Sequence, residues 1–290
     1  MNYSYDGVKV LDDVSFSIEE NAINSIIGKS GSGKSTIVKI LTGLLKTDAN
    51  IEISFMKMDK RNLYEIRKKI GVVFENPDNQ FVADTVIDDI AFSLENMNYK
   101  PDIILDKIKS IAKLLDMEYL LYREPAKLSG GEKELVAIAG ALAHDPKVLI
   151  LDEALTMLDC NKKLKVLEVL KKLTKEGLTI INITHDSEEL LYSDKIILLN
   201  NGKVIKTGTK DDIFKDDLLL TRNGVDLPFV VDLSIKLKYY GLIDDIVYDM
   251  DELVDIILCL KLLLTTLLIV IIVTLCMKVL FFNIIILPKI

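Results

Sequence analysis

Short apolar runs alternate with longer amphipathic stretches along this chain. Four runs rich in β-branched residues have the length and composition of buried strands: Ser25–Ile27, Lys69–Phe74, Val148–Leu151 and Thr179–Ile183. The stretch KIILLNNGKVIKTG predicts a hairpin that turns at Asn201–Gly202. Because strands that alternate with helices build sheets covered by helices, we expect an α/β fold with a mostly parallel sheet.

The pattern becomes mostly helical between Asp84 and Ala143. PDIILDKIKSIAKLLDMEYLL spaces its apolar residues as an amphipathic helix does, and Pro101 suits a first helical turn. We therefore expect a helical subdomain, about 84–145, inserted into a domain that spans 1–210. Residues 211–258 are expected to form a small C-terminal appendix, followed by an apolar tail over 259–290.

Composition narrows the function classes. The net charge of −8 argues against a nucleic-acid surface, which needs clustered Lys and Arg, so no nucleic-acid partner is expected. The three cysteines, Cys160, Cys259 and Cys276, form no CxxC pair, which is typical of a reducing compartment without a disulfide framework. The polar first residues, MNYSYDGVKV, predict no signal peptide, so the body of the chain is expected in the cytoplasm.

A glycine-rich loop gives the first chemical signal. Residues 28–36, GKSGSGKST, fit the pattern G-x-x-x-x-G-K-[ST], with an apolar strand before them and a helical pattern after them. Glycines let consecutive N–H groups turn towards phosphate oxygens, and the helix that begins near Lys34 adds the positive end of its dipole. We expect Lys34 to reach the β and γ phosphates and Ser35 to bind Mg²⁺. The predicted nucleotide site comprises Gly28, Lys29, Ser30, Gly31, Ser32, Gly33, Lys34, Ser35 and Thr36, and Ile37, Ile40, Leu41 and Leu44 form the apolar face of the helix.

Two carboxylates end a later apolar strand, KVLILDE. Asp152 at the strand tip suits a contact with Mg²⁺, and Glu153 is placed to polarise the water that attacks the γ phosphate. The alternative is that these acidic residues only cap the element that follows.

A second anion-binding helix start is predicted in KLSGGEKELVAIAGALAHDP. Ser129 can cap this helix, Gly130 and Gly131 leave its first turn accessible, and Leu135, Ile138 and Leu142 form its core stripe. Alone, the segment could be an ordinary Ser-Gly-Gly cap. Its position just before the Asp152 strand favours a functional role.

The order of these motifs carries a resemblance. The phosphate loop, VVFENPDNQFV, LSGGE, ILDEA, MLD and INITHD together resemble an ATP-binding cassette (ABC) ATPase over residues 3 to about 210. NPDNQFV and the appendix DLPFVVDLSIKLKYYGLIDD are similar to the ATPase subunits of energy-coupling factor transporters, which serve vitamin and cobalt or nickel uptake. The resemblance covers about the first 255 residues and implies a P-loop NTPase core that uses ATP and Mg²⁺.

The resemblance implies roles for further residues. Tyr5, with Tyr3 as second choice, would stack on adenine, and His185 would contact the γ phosphate. Two ATPases would pair head to tail, with Asp159 signalling across the dimer and Ser129–Gly131 covering the partner's nucleotide. The implied catalytic residues are Glu153, His185 and Lys34. The implied metal ligands are Ser35, Asp152 and Glu75.

Several positions depart from the family pattern. Glu75 replaces a glutamine that touches Mg²⁺ and the attacking water, and a carboxylate about 5 Å from phosphate charge costs on the order of 3 kcal/mol at an effective dielectric of about 20. Leu135 replaces an arginine, while Glu132 and Glu134 replace glutamine-like residues, which we expect to weaken the polar tie between the helical subdomain and the core. Leu155 and Cys160 replace Thr-like and Pro residues.

The apolar tail has no counterpart in the family. As a helix of about 1.5 Å per residue, LLLTTLLIVIIVTLCMKVLFFNIIILP would exceed the roughly 30 Å apolar thickness of a bilayer. Lys278 would raise the free energy of membrane insertion by about 3 kcal/mol near the centre of the bilayer. Some twenty apolar residues would each lower it by roughly 0.3 to 0.6 kcal/mol, so insertion is feasible. A frame-shifted read of an A/T-rich gene, a membrane anchor and a buried interface helix remain open alternatives.

The leading functional hypothesis is an ATP hydrolase that powers an energy-coupling factor importer at the cytoplasmic face of the membrane. It would act as a peripheral subunit, together with a second ABC ATPase, a transmembrane coupling subunit and a substrate-binding membrane subunit. The rival is a nucleotide-gated structural subunit that hydrolyses poorly, motivated by Glu75 and Leu135. An ABC protein of DNA maintenance is disfavoured by the acidic charge. The sequence leaves open the transported substrate and whether the dimer is formed with a second copy or with a sister ATPase.

Overall fold

A computed structural model describes residues 1–262 and 273 of the chain. Within them, contacts divide the chain into two compact units, 1–227 and a second that begins at Pro228. The sequence-based limits of 210 and 258 remain a prediction. The predicted apolar tail lies almost wholly outside the described residues, and no helix of the described part is long and apolar enough to cross a membrane.

A six-stranded sheet forms the centre of the first unit. Its strand order is β10-β9-β3-β8-β7-β6, and every pair is parallel except β9 with β10. Two small hairpins, β1–β2 and β4–β5, lie beside it. The strands are β1 (Tyr3–Tyr5), β2 (Val8–Leu11), β3 (Ile23–Ile27), β4 (Glu52–Ile53), β5 (Met56–Lys57), β6 (Ile70–Val73), β7 (Val148–Asp152), β8 (Thr179–Thr184), β9 (Lys195–Asn200) and β10 (Lys203–Gly208).

The predicted α/β fold with a mostly parallel sheet is confirmed. All four predicted buried strands are present, and each contributes apolar residues to both clusters of buried residues in the first unit. The β9–β10 hairpin turns at the predicted dipeptide: Asn201 has φ 46° and Gly202 has φ 70°, the left-handed values that a two-residue hairpin turn requires.

Helices of the first unit pack with the sheet and fill the segment between β6 and β7. They are α1 (Lys34–Leu41), α2 (Leu63–Lys69), α3 (Val86–Glu95), α4 (Pro101–Leu114), α5 (Gly130–Leu142), α6 (Cys160–Lys175), α7 (Lys210–Phe214) and α8 (Asp217–Arg222). In the second unit, α9 (Phe229–Tyr239) and residues 250–262 are helical. The helix α4 begins at Pro101 as expected, and α5 buries the predicted stripe of Leu135, Ile138 and Leu142.

One predicted core position is wrong. The helix α1 ends at Leu41, and Leu44 is 58% exposed rather than part of the apolar face. Gly43 follows with φ +71°, the left-handed conformation that ends many helices. The carbonyl of Lys39 then accepts the N–H of Leu44 at 2.8 Å, so the chain leaves the helix before Leu44 can turn inward.

The α5 helix approaches the sheet closely. A Cβ atom on Gly71 in β6 would lie 2.3 Å from the carbonyl oxygen of Ala141, so only glycine fits there. The packed residues continue from β6 and β7 into α3, α4 and α5 and include Ile90, Ile108 and Ile138. The helical segment therefore shares an apolar core with the sheet, which fixes the start of α5 relative to the strand ends.

Candidate active site

The loop of residues 28–33 joins β3 to α1 and takes a path that side chains would block. A Cβ on Gly28 would lie 2.0 Å from the carbonyl oxygen of Leu199, and Gly31 and Gly33 have φ values of +78° and +104°. The first bond within α1 runs from the N–H of Ile37 to the carbonyl of Gly33, at 3.1 Å. The N–H groups before Ile37 are therefore without helical partners, as in an anion-binding helix start.

Lys34 is buried inside this loop. Its ammonium donates to the carbonyls of Gly28 at 2.8 Å and Lys29 at 3.2 Å, and it lies 3.8 Å from Glu153 Oε1. Burial lowers the pKa of Lys34, while nearby carboxylates, first that of Glu153, oppose this shift. The loop thus carries a cation at its centre that donates hydrogen bonds to loop carbonyls and forms an ion pair with Glu153.

Ser32 places a buried hydroxyl in this loop. Its hydroxyl is buried and has no hydrogen-bond partner among the described residues. Its carbonyl accepts the N–H of Gly202 at 3.0 Å, which fixes the loop to the β9–β10 turn. A buried hydroxyl without a partner is costly, and a phosphate oxygen would satisfy it.

Acidic residues gather beside the loop at the end of β7. The Ser35 hydroxyl lies 3.5 Å from Asp152 Oδ1. Burial raises the pKa of Asp152 to about 6, and the charges of Glu153 and Glu75 add to this shift. A hydroxyl and carboxylates form the oxygen donor set that Mg²⁺ prefers, and a divalent cation would relieve their repulsion, so these residues fit the metal that the sequence predicts.

Glu153 and His185 meet because β7 and β8 are parallel neighbours. Asp152 pairs with Ile183 in the sheet, and the N–H of Glu153 donates to the carbonyl of Ile183 at 2.9 Å. This register brings His185 Nδ1 to 3.1 Å from Glu153 Oε2. An ionised carboxylate only accepts hydrogen bonds, so this contact fits an imidazole that donates from Nδ1. Glu153 itself has φ +53°, an uncommon value for a residue with a side chain, at the point where the chain leaves the strand.

The remaining predicted residues bond within their own segments. Tyr5 is 39% exposed on the β1–β2 hairpin, with its ring edge-on to Tyr3 at 5.0 Å. Ser129 caps α5 in a capping box with Glu132, and a Cβ on Gly131 would lie 2.7 Å from the carbonyl oxygen of Met157. The carboxylate of Asp159 accepts the N–H of Lys162 at 3.0 Å and caps α6. Glu75, beyond the end of β6, is exposed.

Comparison with known proteins now decides the family. The ABC transporter family matches residues 11–156. The energy-coupling factor transporter ATP-binding protein EcfA1 of Oenococcus oeni is 43% identical over 246 residues, which cover 83% of this chain and 89% of that protein. The chain belongs to the ABC transporter family, in its energy-coupling factor group.

Solved structures agree with this assignment. The structure of cbiO1 from Clostridium perfringens, part of the ABC transporter complex cbiONQ, matches with a TM-score of 0.68 and 33% identity over 80% of this chain and 95% of that one. The ATP-binding cassette MJ0796, a dimer bound to ADP and Pi, matches with a TM-score of 0.66 and 30% identity over 72% of this chain and 94% of that one. The chain is therefore an ATP-binding ABC ATPase.

Glu134 ties the helical segment of this ABC ATPase to the residues that follow β7. Both its oxygens accept the N–H of Met157 at 3.0 Å, and Oε1 accepts the hydroxyl of Thr156 at 3.2 Å. That Glu132, Glu134 and Leu135 together make the tie weaker than in the family stays a prediction. A carboxylate suits this place because the groups that meet it are donors. Burial raises the pKa of Glu134, and the hydrogen bonds from Met157 and Thr156 oppose the shift.

Glu132 is also engaged. Its carboxylate accepts the N–H of Ser129 at 2.9 Å and the Ser129 hydroxyl at 2.8 Å, and it lies 3.6 Å from the guanidinium of Arg123. These bonds lower the pKa of Glu132, the backbone bond from Ser129 most of all. The Ser-x-x-Glu spacing of a capping box was the signal in the sequence that could have predicted this bond.

Sequence reasoning missed two features of the site. Gly202, predicted only as a hairpin residue, supports the phosphate loop through Ser32. A group of three charged side chains, the partly buried Lys163 and Asp186 and the buried Glu189, begins at the residue that follows His185 in the chain. No local pattern joins Lys163 to residues more than twenty positions away, so the sequence offered no signal for this contact.

Proposed function

We propose that this ATPase is the hydrolytic subunit of an energy-coupling factor importer, and that ATP bound between two such subunits drives uptake of a vitamin or a transition-metal ion. The observation that carries the proposal is the convergence of Lys34, Asp152, Glu153 and His185 at the carboxyl ends of β3, β7 and β8, where parallel sheets bind ligands. The names of the relatives supply the transporter type.

The proposed ATP site uses the loop of residues 28–36 for the phosphates and Tyr5 for the adenine ring. The glycine path, the N–H groups of the first helical turn that lack helical partners and the buried Ser32 hydroxyl all favour an anion in the loop. Ser35, Asp152 and Glu75 would hold Mg²⁺, which when bound supplies charge neutralisation on the phosphate oxygens.

The proposed chemistry assigns a separate task to each charged side chain. Glu153 orients the attacking water and takes its proton on a carboxylate oxygen. The imidazole of His185 donates from Nδ1 to Glu153 Oε2 and so fixes the orientation of that carboxylate. Lys34 neutralises phosphate charge from inside the loop, where its burial makes the interaction stronger than in water.

The proposed partners follow from segments that lie at the surface. Ser129 and Asp159 are exposed and held rigidly by caps, which suits contact with a second ATPase whose loop 28–36 holds the nucleotide. The solved dimer of a related cassette supports a dimer of this kind, with a second copy or a sister ATPase. We further propose that the chain is a peripheral subunit at the cytoplasmic face, bound to a transmembrane coupling subunit and a substrate-binding membrane subunit.

A second candidate is a subunit that binds ATP but hydrolyses it poorly. Glu75 favours it, since its charge adds to the raised pKa of Asp152 and would oppose the phosphates. The buried Leu135, where the family has arginine, removes a positive charge from α5. This candidate predicts a slow parent enzyme that Glu75→Gln accelerates.

The two candidates differ in the ATPase turnover that they predict. Turnover is measured in the complex that copurifies with the tagged chain. The hydrolytic proposal expects Glu153→Gln to reduce kcat at least 100-fold with ATP affinity retained, and Glu75→Gln to change kcat less than threefold. Lys34→Ala should instead reduce ATP affinity. A Glu153→Gln rate equal to that of the parent would refute the proposed mechanism, and a tenfold gain from Glu75→Gln would favour the second candidate. Identification of the membrane proteins that copurify, followed by uptake assays, tests the transport function.

A further inference from the structure

A partly buried charge cluster connects α6 to the segment after β8. Lys163, on the first turn of α6, extends its ammonium to Asp186 Oδ2 at 2.8 Å and Glu189 Oε1 at 3.3 Å. The second oxygen of Glu189 accepts the side-chain amide of Asn182 at 2.8 Å. The cluster therefore joins one helix, one strand and the turn that follows this strand.

The cluster depends on its single cation. Glu189 is 2% exposed and the Lys163 side chain 17%, so both charges are largely out of water. Burial raises the pKa of Glu189, while the bond from Asn182 and the charge of Lys163 oppose this shift. A buried carboxylate that loses its cation costs several kcal/mol, which makes Lys163 the residue that fixes both acidic groups in place.

Asp186 transmits this constraint to His185. Its N–H donates to the Thr184 hydroxyl at 2.9 Å, its Oδ1 accepts the N–H of Glu188 at 2.9 Å, and its Oδ2 is held by Lys163. Hydrogen bonds thus hold Thr184 and Asp186, the two neighbours of His185 in the chain. They fix the backbone position from which the imidazole contacts Glu153.

The backbone of Lys163 contacts Asp159. The N–H of Lys163 donates to the carbonyl of Asp159 at 2.9 Å, in the first turn of α6. One residue therefore joins Asp159, by its backbone, to Asp186 and Glu189, by its side chain. A displacement of Asp159 moves the first turn of α6 and with it the ammonium that fixes the turn after His185.

We propose that Lys163 is a positioning residue that couples the surface segment at Asp159 to the orientation of His185 towards Glu153. The coupling gives the ATPase a route by which contact with a second subunit at Asp159 sets the rate at the site. This inference rests on the proposed hydrolytic function for its kinetic consequence, but the geometric link from Lys163 to His185 holds without it.

The kinetic test compares Lys163→Met with Lys165→Met in the purified complex. Lys165 lies on the same helix, but its pair with Asp116 joins side chains that are 70% and 81% exposed, so its loss should matter little. We expect Lys163→Met to reduce kcat at least tenfold with KM for ATP within twofold, Lys163→Arg to keep kcat within threefold, and Lys165→Met to match the parent.

A double variant separates positioning from stability. Adding Glu189→Gln to Lys163→Met removes the unpaired buried charge, so the melting temperature should recover towards that of the parent. The rate should stay low, because Asp186 still lacks its cation. Recovery of the rate together with the melting temperature, or a kcat for Lys163→Met equal to that of Lys165→Met, would overturn the proposal.

A spectroscopic test does not require hydrolysis. The chain has two histidines, so ¹⁵N-histidine labelling of the full-length protein gives two sets of imidazole signals, which His144→Gln assigns. Lys163→Met should shift the His185 signals and leave those of His144 unchanged, whereas Lys165→Met should shift neither. An absent ATPase activity in the parent would refute the proposed function alone, while an unchanged His185 signal would refute the coupling.

Discussion

Removal of the Asp152 charge should stabilise the fold in the absence of metal and nucleotide. Asp152 is 4% exposed at the tip of β7, and its pKa rises from 3.8 to about 6, chiefly through burial and then through the charges of Glu153 and Glu75. Asp152→Asn keeps an oxygen acceptor for the Ser35 hydroxyl while removing the ionisation. The substitution therefore tests the electrostatic cost of the site with little change in shape.

The magnitude of this stabilisation follows from the difference between the pKa of Asp152 in the folded state and its pKa in the unfolded state. The folded protein binds the Asp152 proton more tightly, so the contribution of this group to stability is fully present below pH 3.8 and is lost as the pH rises through about 6. A difference of about 2 pH units, at about 1.4 kcal/mol each, gives a cost of about 3 kcal/mol above pH 7. Asp152→Asn should recover about that free energy of unfolding at pH 7.5 and almost none of it below pH 4.

Urea unfolding in EDTA at pH 7.5, 6, 5 and 4 measures this difference, with Asp116→Asn as the control. The Asp116 side chain is 81% exposed, so its neutralisation should change the free energy of unfolding by less than about 0.5 kcal/mol at every pH. A gain that is absent at pH 7.5, or one that does not shrink between pH 6 and pH 4, would show that Asp152 is not held in the folded protein at an electrostatic cost.

Three further substitutions test packing elsewhere. Gly202→Ala should destabilise the fold by about 2 kcal/mol or more in urea, because a Cβ would lie 2.1 Å from the carbonyl oxygen of Val10 and φ is +70°. Gly140→Ala should instead stabilise it by roughly 0.5 to 1 kcal/mol in the same assay, since the new methyl group meets nothing within 4 Å in the interior of α5. Ser234→Ala should lower the free energy of unfolding by about 1 to 3 kcal/mol. The reason is that the buried hydroxyl accepts the N–H of Val247 and donates to its carbonyl, both at 3.2 Å. Thermal unfolding of the full chain, together with hydrogen exchange at Val247, measures this loss.

The strands were predictable where buried residues were uniformly apolar and less so where a polar residue interrupted them. The predicted strand Ser25–Ile27 begins two residues earlier in the structure, at Ile23. The added residues include Asn24, which is polar but fully buried. The Asn24 amide donates to the carbonyls of Glu19, Ala22 and Ile180, so its polar groups are satisfied inside the core. A hydrophobicity pattern cannot identify such a residue as part of a strand, since it does not show the backbone carbonyls, one of them on β8, that permit its burial.

Helix ends show the same division between local and distant signals. Gly43 is a local signal for the end of α1, and its positive φ could have been expected from the glycine alone. The apolar spacing predicted instead that the helix continues to Leu44. The helix ends earlier because the turn at Gly43 satisfies its last carbonyls. At α5, by contrast, Ser129 as the cap and the apolar stripe agreed, and both predictions were confirmed.

The part of the site that the sequence could not predict is the anchoring of residues 153–159. This segment carries Glu153 at one end and Asp159 at the other, and neither end is held by the sheet alone. Glu134 fixes its middle by accepting the N–H of Met157, and Lys163 fixes its end by donating to the carbonyl of Asp159. Glu134 is a buried carboxylate on α5, whereas the bond from Lys163 is made by its backbone N–H within the first turn of α6, so the path of residues 153–159 depends on both helices. The apolar stripe of α5 predicts the packing of this helix against the core, but it gives no signal that a charged residue of the same helix would fix the segment that carries Glu153.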